Sequence, residues 1–185
     1  MMNKNKGFTL IELMIALAIF GILLGVAVPS FTALMNDKNM ISQMTKLTAV
    51  IAYARSEAVT RSVAVVVCSS TDGATCAGNN TWEQGWIVFT DLNGNGAPDL
   101  GGGNCAATVD CLLNVQGAMP AGVTLRATAA SIVYTPTGDP AGGGGTAFRL
   151  CGASAQANND TDYSRTVTIS APGSASVVKG AATCP

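Results

Sequence analysis

The chain has no histidine among its 185 residues, and that absence removes much of the catalytic repertoire that works near neutral pH. Without an imidazole there is no Ser-His or Cys-His nucleophile and no histidine-held zinc. The sequence also lacks a Gly-x-Ser-x-Gly turn, a Cys-x-x-Cys pair and any obvious pair of buried carboxylates, so neither a hydrolase elbow nor a zinc or redox motif can be drawn. Charge is scarce too. Lys, Arg, Asp and Glu together supply 11% of residues, against about a quarter in an ordinary soluble domain. No enzyme and no cofactor are expected.

The few charges are unevenly placed. Residues 1–61 carry six basic side chains against three acidic ones, a balance of +3; residues 62–185 carry four against eight, a balance of −4. An acidic C-terminal part is formally unattractive to polyanions. From Leu13 to Phe31 there is no charge at all, and a helix over that run approaches the ~30 Å of a bilayer's hydrocarbon core. A membrane segment is expected there. At its mouth stands one carboxylate, Glu12, which costs on the order of 2 to 3 kcal/mol in a bilayer if left unpaired. No basic residue follows before Lys38, so the cation that neutralises it must come from elsewhere.

An ordinary secretory signal peptide would use Lys4 and Lys6 as its basic end and a cut near Gly25-Val26-Ala27, but it would not carry a Glu inside its apolar core. Beyond the run, Met40, Met44, Leu47, Ile51, Ala54 and Ala58 recur at steps of four and three, the stripe of a helix that buries one face. Pro29, with Gly21 and Gly25, predicts a kink or a melted stretch within this long helix. After Arg61 the pattern turns to short Val-, Ile-, Phe- and Thr-rich runs separated by Gly, Asn, Asp and Pro. Strands are predicted at Ala64 to Cys68, Gly85 to Thr90, Leu112 to Val115, Val123 to Ala127, Ser131 to Thr135, Thr146 to Cys151, Arg165 to Ser170 and Ser176 to Lys179. Their connections are too short for crossover helices, so two antiparallel sheets are expected. The fold class is α+β, a long N-terminal helix packed on a β head, with bounds 1–7, 8–36, 37–61 and 62–185. Trp82, Trp86 and Phe89 are expected to pack against the helix stripe.

Six cysteines, Cys68, Cys76, Cys105, Cys111, Cys151 and Cys184, all lie beyond the apolar run. Fifteen pairings are possible. The spacing favours two tight local pairs, Cys68 with Cys76 and Cys105 with Cys111, and one distant pair, Cys151 with Cys184. Asp91, Asn93, Asn95 and Asp99 place oxygens as the start of a calcium loop does, but Gly102 stands where a closing bidentate Glu belongs. Half a motif remains, so a calcium site is a weak candidate and no metal is expected. Gly142 to Gly145 predicts a mobile loop, without the Lys and helix of a phosphate cradle.

Lys4-Asn5-Lys6-Gly7-Phe8-Thr9-Leu10-Ile11-Glu12 resembles the type III signal peptide of type IV pilins and type II secretion pseudopilins. The resemblance implies that a prepilin peptidase cuts between Gly7 and Phe8, that the amine of Phe8 is methylated, and that Glu12 pairs with the terminal amine of a neighbouring subunit. In resembling pilins a proline placed like Pro29 marks a segment that loses helical structure in the filament. Ala54-Arg55-Ser56-Glu57-Ala58, Trp82-Glu83-Gln84-Gly85-Trp86-Ile87-Val88-Phe89, Tyr134-Thr135-Pro136-Thr137-Gly138, Phe148-Arg149-Leu150-Cys151 and Arg165-Thr166-Val167-Thr168-Ile169-Ser170 resemble, in order and spacing, the GspH/FimT group of minor pilins and pseudopilins. Across nearly the whole chain this implies a subunit that primes or caps a filament, serving twitching, adhesion or DNA uptake, or else type II secretion. Implied partners are other minor and major pilins or pseudopilins, prepilin peptidase, the inner-membrane assembly platform and lipid. The implied location is a single-pass inner-membrane form before assembly and a surface pilus or periplasmic pseudopilus after it. Topology then puts the cysteines outside the cytoplasm, where disulfides form. Where some FimT-like members bind DNA through Gly-Arg-x-Arg, this chain reads Gly173-Ser174-Ala175-Ser176, with Lys179 and Arg165 the nearby cations. Direct DNA capture is not favoured.

Overall fold

The apolar stripe from Met40 to Ala58 on the helix becomes the spine of the larger of two compact units. The computed structural model describes residues 7–101, 105, 108–152, 155, 161–180 and 184, without the side chains at 26, 29, 30, 32, 33 and 162. Helix α1 is assigned without a break over Leu10–Arg61, passing through residue 29, so the predicted melted stretch is absent from this single chain. One unit ends at Asn39 and the other begins at Met40.

In the first unit the helix is apolar nearly all round and has no cover: Leu10, Ile11, Leu13, Met14, Leu17 and Phe20 are all exposed. A surface helix normally hides such residues on one face. Among the described residues no helix is long and apolar enough to cross a membrane; the uncharged run from Leu13 to Phe31 includes positions 26, 29 and 30, whose side chains lie outside the description.

In the second unit, Met40, Met44, Leu47, Ile51, Ala54 and Ala58 are buried and pack against two four-stranded antiparallel sheets. The first is ordered β3-β2-β1-β5, from β1 (Ala64–Ser69), β2 (Trp86–Asp91), β3 (Leu112–Gln116) and β5 (Ser131–Tyr134). The second is β4-β6-β7-β8, from β4 (Thr124–Ala127), β6 (Ala147–Cys151), β7 (Ser164–Ile169) and β8 (Ala175–Lys179). The strands start and stop within a residue of the runs read from the sequence.

Alternation along β2 decides which aromatics meet the helix. Trp86 and Val88 join Trp82, Val65 and Val67 in the core that contains the stripe. Ile87 and Phe89 point the other way and form a second, smaller core with Val66 and Cys68. Phe89 therefore does not pack on the helix as expected, because residues one apart on a strand face opposite sides. Trp82 meets Phe148 edge to face at 4.9 Å, and its indole N–H donates to the Ala129 carbonyl at 3.0 Å.

The glycine run also differs from a simple mobile loop. Gly144, at φ 86°, lies so close to β7's end that a Cβ there would sit 2.6 Å from the Ser170 carbonyl carbon. Gly145 N–H donates to Ile169 at 2.8 Å. Only glycine combines that backbone with that approach.

Candidate assembly site

Thr9 and Glu12 form a capping box at the start of α1. The Glu12 carboxylate accepts from the Thr9 backbone N–H at 2.8 Å and from the Thr9 hydroxyl at 3.0 Å, both on Oε2. In return Glu12 N–H donates to Thr9 Oγ1 at 3.3 Å. The reciprocal bonds satisfy donors that a helix N-terminus otherwise leaves orphaned. The local signal for it is the Thr-x-x-Glu spacing of Thr9 and Glu12, which the intermolecular reading of the lone charge does not use.

Capping uses one oxygen. Glu12 Oε1 has no hydrogen-bond partner among the described residues and Glu12 is exposed, so a second donor can reach it. Gly7 precedes the helix as exposed coil, and the Phe8 ring is 93% exposed. Lys4 and Lys6 lie outside the described residues.

Cys68 bonds Cys76, Cys105 bonds Cys111 and Cys151 bonds Cys184. The first bond closes the small core behind β1. Its turn is fastened by Asp72, which accepts from the Thr75 hydroxyl at 2.7 Å and from the N–H groups of Thr75 and Ala74. Those bonds, the Thr75 hydroxyl foremost, hold the Asp72 carboxyl well below the usual carboxylate range. The last bond ties the C-terminal tail to β6.

In the Asp91–Asp99 loop the oxygens are turned to the loop's own backbone. Asp91 accepts from the N–H groups of Gly94, Asn95 and Gly96. Asp99 Oδ2 accepts from the Asn93 and Asn95 side-chain amides. Buried Asp110, which the sequence reading missed, accepts from Leu92 and Asp99 N–H; being eleven residues past Asp99, it offered no local signal. These are the bonds of an Asx-rich turn. Among the described residues no group of three His, Cys, Asp or Glu side chains could hold a metal ion; Gly102 lies outside them.

Gly173-Ser174 forms the turn between β7 and β8, with Ser170 N–H donating to Ser174. Arg165, only 7% exposed and donating to the Ser164 carbonyl, and exposed Lys179 face each other at the opposite end of this hairpin, whereas the cation beside the turn itself is Arg55.

A family profile for the type II transport protein GspH matches residues 43–173, and the prokaryotic N-terminal methylation motif matches residues 2–28. The pilin-like protein PilA1 of Thermus thermophilus is 32% identical over 151 residues, covering 72% of this chain and 88% of that protein. The type IV minor pilin FimU of Pseudomonas aeruginosa superposes with a TM-score of 0.54 at 20% identity, over 80% of this chain and 94% of that one, which shows a shared fold. The minor pseudopilin EpsH of Vibrio cholerae aligns at 10% identity and a TM-score of 0.48 over 78% of this chain and 99% of that one. With its methylation motif, capped helix and two-sheet head, the chain belongs to the GspH family and is a minor pilin or pseudopilin, a filament subunit and not an enzyme.

Proposed function

We propose that this chain is a minor pilin of a type IV pilus, inserted by its N-terminal helix and incorporated near the filament's end to initiate or cap assembly. The observation that carries the assembly role is the uncovered apolar helix headed by Glu12. A surface of that kind is stable only against lipid or against other helices. Before assembly, lipid covers residues 8–36; after prepilin peptidase cuts between Gly7 and Phe8 and the Phe8 amine is methylated, neighbouring helices do. Glu12 keeps its own helix capped through Oε2 and offers Oε1 to the amine of a neighbour's Phe8, which neutralises the charge and fixes axial register.

The likeness to a pilin-like protein at 32% identity favours the surface pilus. The second reading, a pseudopilin of type II secretion, rests on the GspH profile. Both share the N-terminal chemistry.

Glu12→Gln and Glu12→Ala separate capping from charge, since glutamine also serves in a capping box. Both variants are expected to keep a folded head and membrane insertion and to disappear from sheared filaments; wild-type incorporation of Glu12→Gln would refute the charge pairing. Mass spectrometry of filaments sheared from wild-type cells should find head peptides and a methylated peptide starting at Phe8. Their presence only in the membrane fraction, beside plentiful filaments, would instead favour the secretion pseudopilin.

A further inference from the structure

The four sheet edges of the head are not treated alike. The outer edge of β4 is covered, with Thr81 bridging Arg126 and Ala127 N–H donating to Asn80. That of β5 is covered by its own turn, with Tyr134 bridging Pro140 and Ala141 N–H donating to Val133. β3 is broken by a bulge: Val88 faces Asn114 and Phe89 faces Leu112, leaving Leu113 extra. Bulges of this kind blunt an edge against further pairing.

β8 has no such protection among the described residues. It pairs with β7 in regular register over all five residues. Ser170 N–H donates to Ser174 and Gly180 N–H to Ser164, so antiparallel alternation turns Ser176 and Val178 toward β7 and aims the backbone groups of Ala175, Val177 and Lys179 outward. Val177 and Val178 point to opposite faces and are 48% and 52% exposed, so the strand is open on both faces beyond Ala175, which packs partly on the core. The chain beyond β8 is tied by Cys184 to Cys151 on β6, two strands inward.

Beside this edge lies a groove of about 490 Å³ between residues 48–60 of α1 and the start of β8. Its walls are largely apolar, and no acidic side chain lines it. Arg55 is its one charge. The Arg55 Nε–H donates to the Gly138 carbonyl at 2.9 Å, and Gly138 and Gly173 crowd the side chain so closely that a Cβ on either would lie 3.3 to 3.4 Å from Nε. The guanidinium is thus held in place, while its terminal nitrogens donate to no described residue. A half-buried, fixed guanidinium with spare donors suits a carboxylate.

We propose that β8 accepts an extended, carboxylate-bearing segment from the head of a different pilin-family subunit. The segment adds a fifth strand to the β4-β6-β7-β8 sheet and sets its acidic side chain on Arg55. The free backbone row calls for a strand, and the unpaired guanidinium calls for acid on it. A second copy of this chain does not fit, because the edges it could offer, Leu112–Gln116 and Ala175–Lys179, carry no carboxylate. That the partner is a pilin rests on the assembly reading.

The test is photo-cross-linking in intact, pilus-producing cells, with a benzophenone amino acid replacing Ser56, an exposed groove residue. The expected adduct joins position 56 to an acidic head segment of another subunit. Val177→Pro removes an outward N–H without touching the β7 ladder. Ala52→Glu, one turn before Arg55, supplies the guanidinium with a competing carboxylate. Each should cut the adduct by about tenfold or more, the weight of one charge-assisted contact, while Val177→Thr should not. No adduct, an adduct insensitive to both substitutions, or an adduct to a second copy of this chain would overturn the proposal. Loss of the assembly reading shows separately, as normal incorporation of Glu12→Gln.

Discussion

The two units of this chain solve opposite problems with similar residues. In the first, Leu, Ile and Phe cover the helix on every side and stay exposed in the single chain; in the second, Met, Leu, Ile and Ala sit on one stripe and are buried by sheet. The head completes its own core, and the apolar N-terminal helix has none of its own. The disulfides all fall in the head, whereas the apolar N-terminal run carries a single charge at its mouth, Glu12.

Substitutions can sharpen that contrast. The largest effect should come from Trp82→Ala, which removes a fully buried ring, its edge-to-face partner and its bond to Ala129; a loss of about 3 to 5 kcal/mol is expected in denaturant unfolding of the oxidised protein. Next, removing the bond between Cys151 and Cys184 should cost about 4 kcal/mol on the chain-entropy model, against about 2.5 for Cys68 with Cys76, since the loops differ as 33 residues to 8. Reversal of that order would mean that the small core behind β1 matters more than loop length.

Tyr134 gives a smaller effect with a pH signature. Burial pushes its hydroxyl up to about 12, against an opposing pull from Arg55, and the hydroxyl donates to the Gly173 carbonyl at 3.2 Å. The folded state holds this proton more tightly, so its contribution is full below about pH 10, the value for an unfolded tyrosine, and is lost as pH rises toward 12. Tyr134→Phe should remove that component from the alkaline limb; an unchanged limb would place the sensitivity elsewhere. Leu17→Ala, at a position 60% exposed, should leave head stability unchanged. A substantial loss would show that the two units share a core.

Much of this architecture was legible because it is periodic. The stripe from Met40 to Ala58 is written at steps of three and four, and the eight strands are short β-rich runs between turn residues, so period and punctuation located them. What periodicity could not supply was pairing across distance. Arg55 reaches Gly138 over 83 positions. Asp110 holds the Asp91–Asp99 loop from outside it. Phe89 falls in the smaller core, because strand alternation divides an aromatic cluster that is continuous in sequence. The capping role of Glu12 was legible but overshadowed, since a charge beside an apolar run draws attention to partners outside the chain.

By itself the sequence determined the N-terminal processing signature, the helix stripe, the strands and the exclusion of imidazole chemistry, because each is a local pattern of residue type and spacing. The tertiary structure alone decided which sheet edges are covered, that Arg165 is buried, and that Arg55 stands in a groove beside an open strand. Those outcomes depend on which distant segments share a surface, and nothing within a single local window records that.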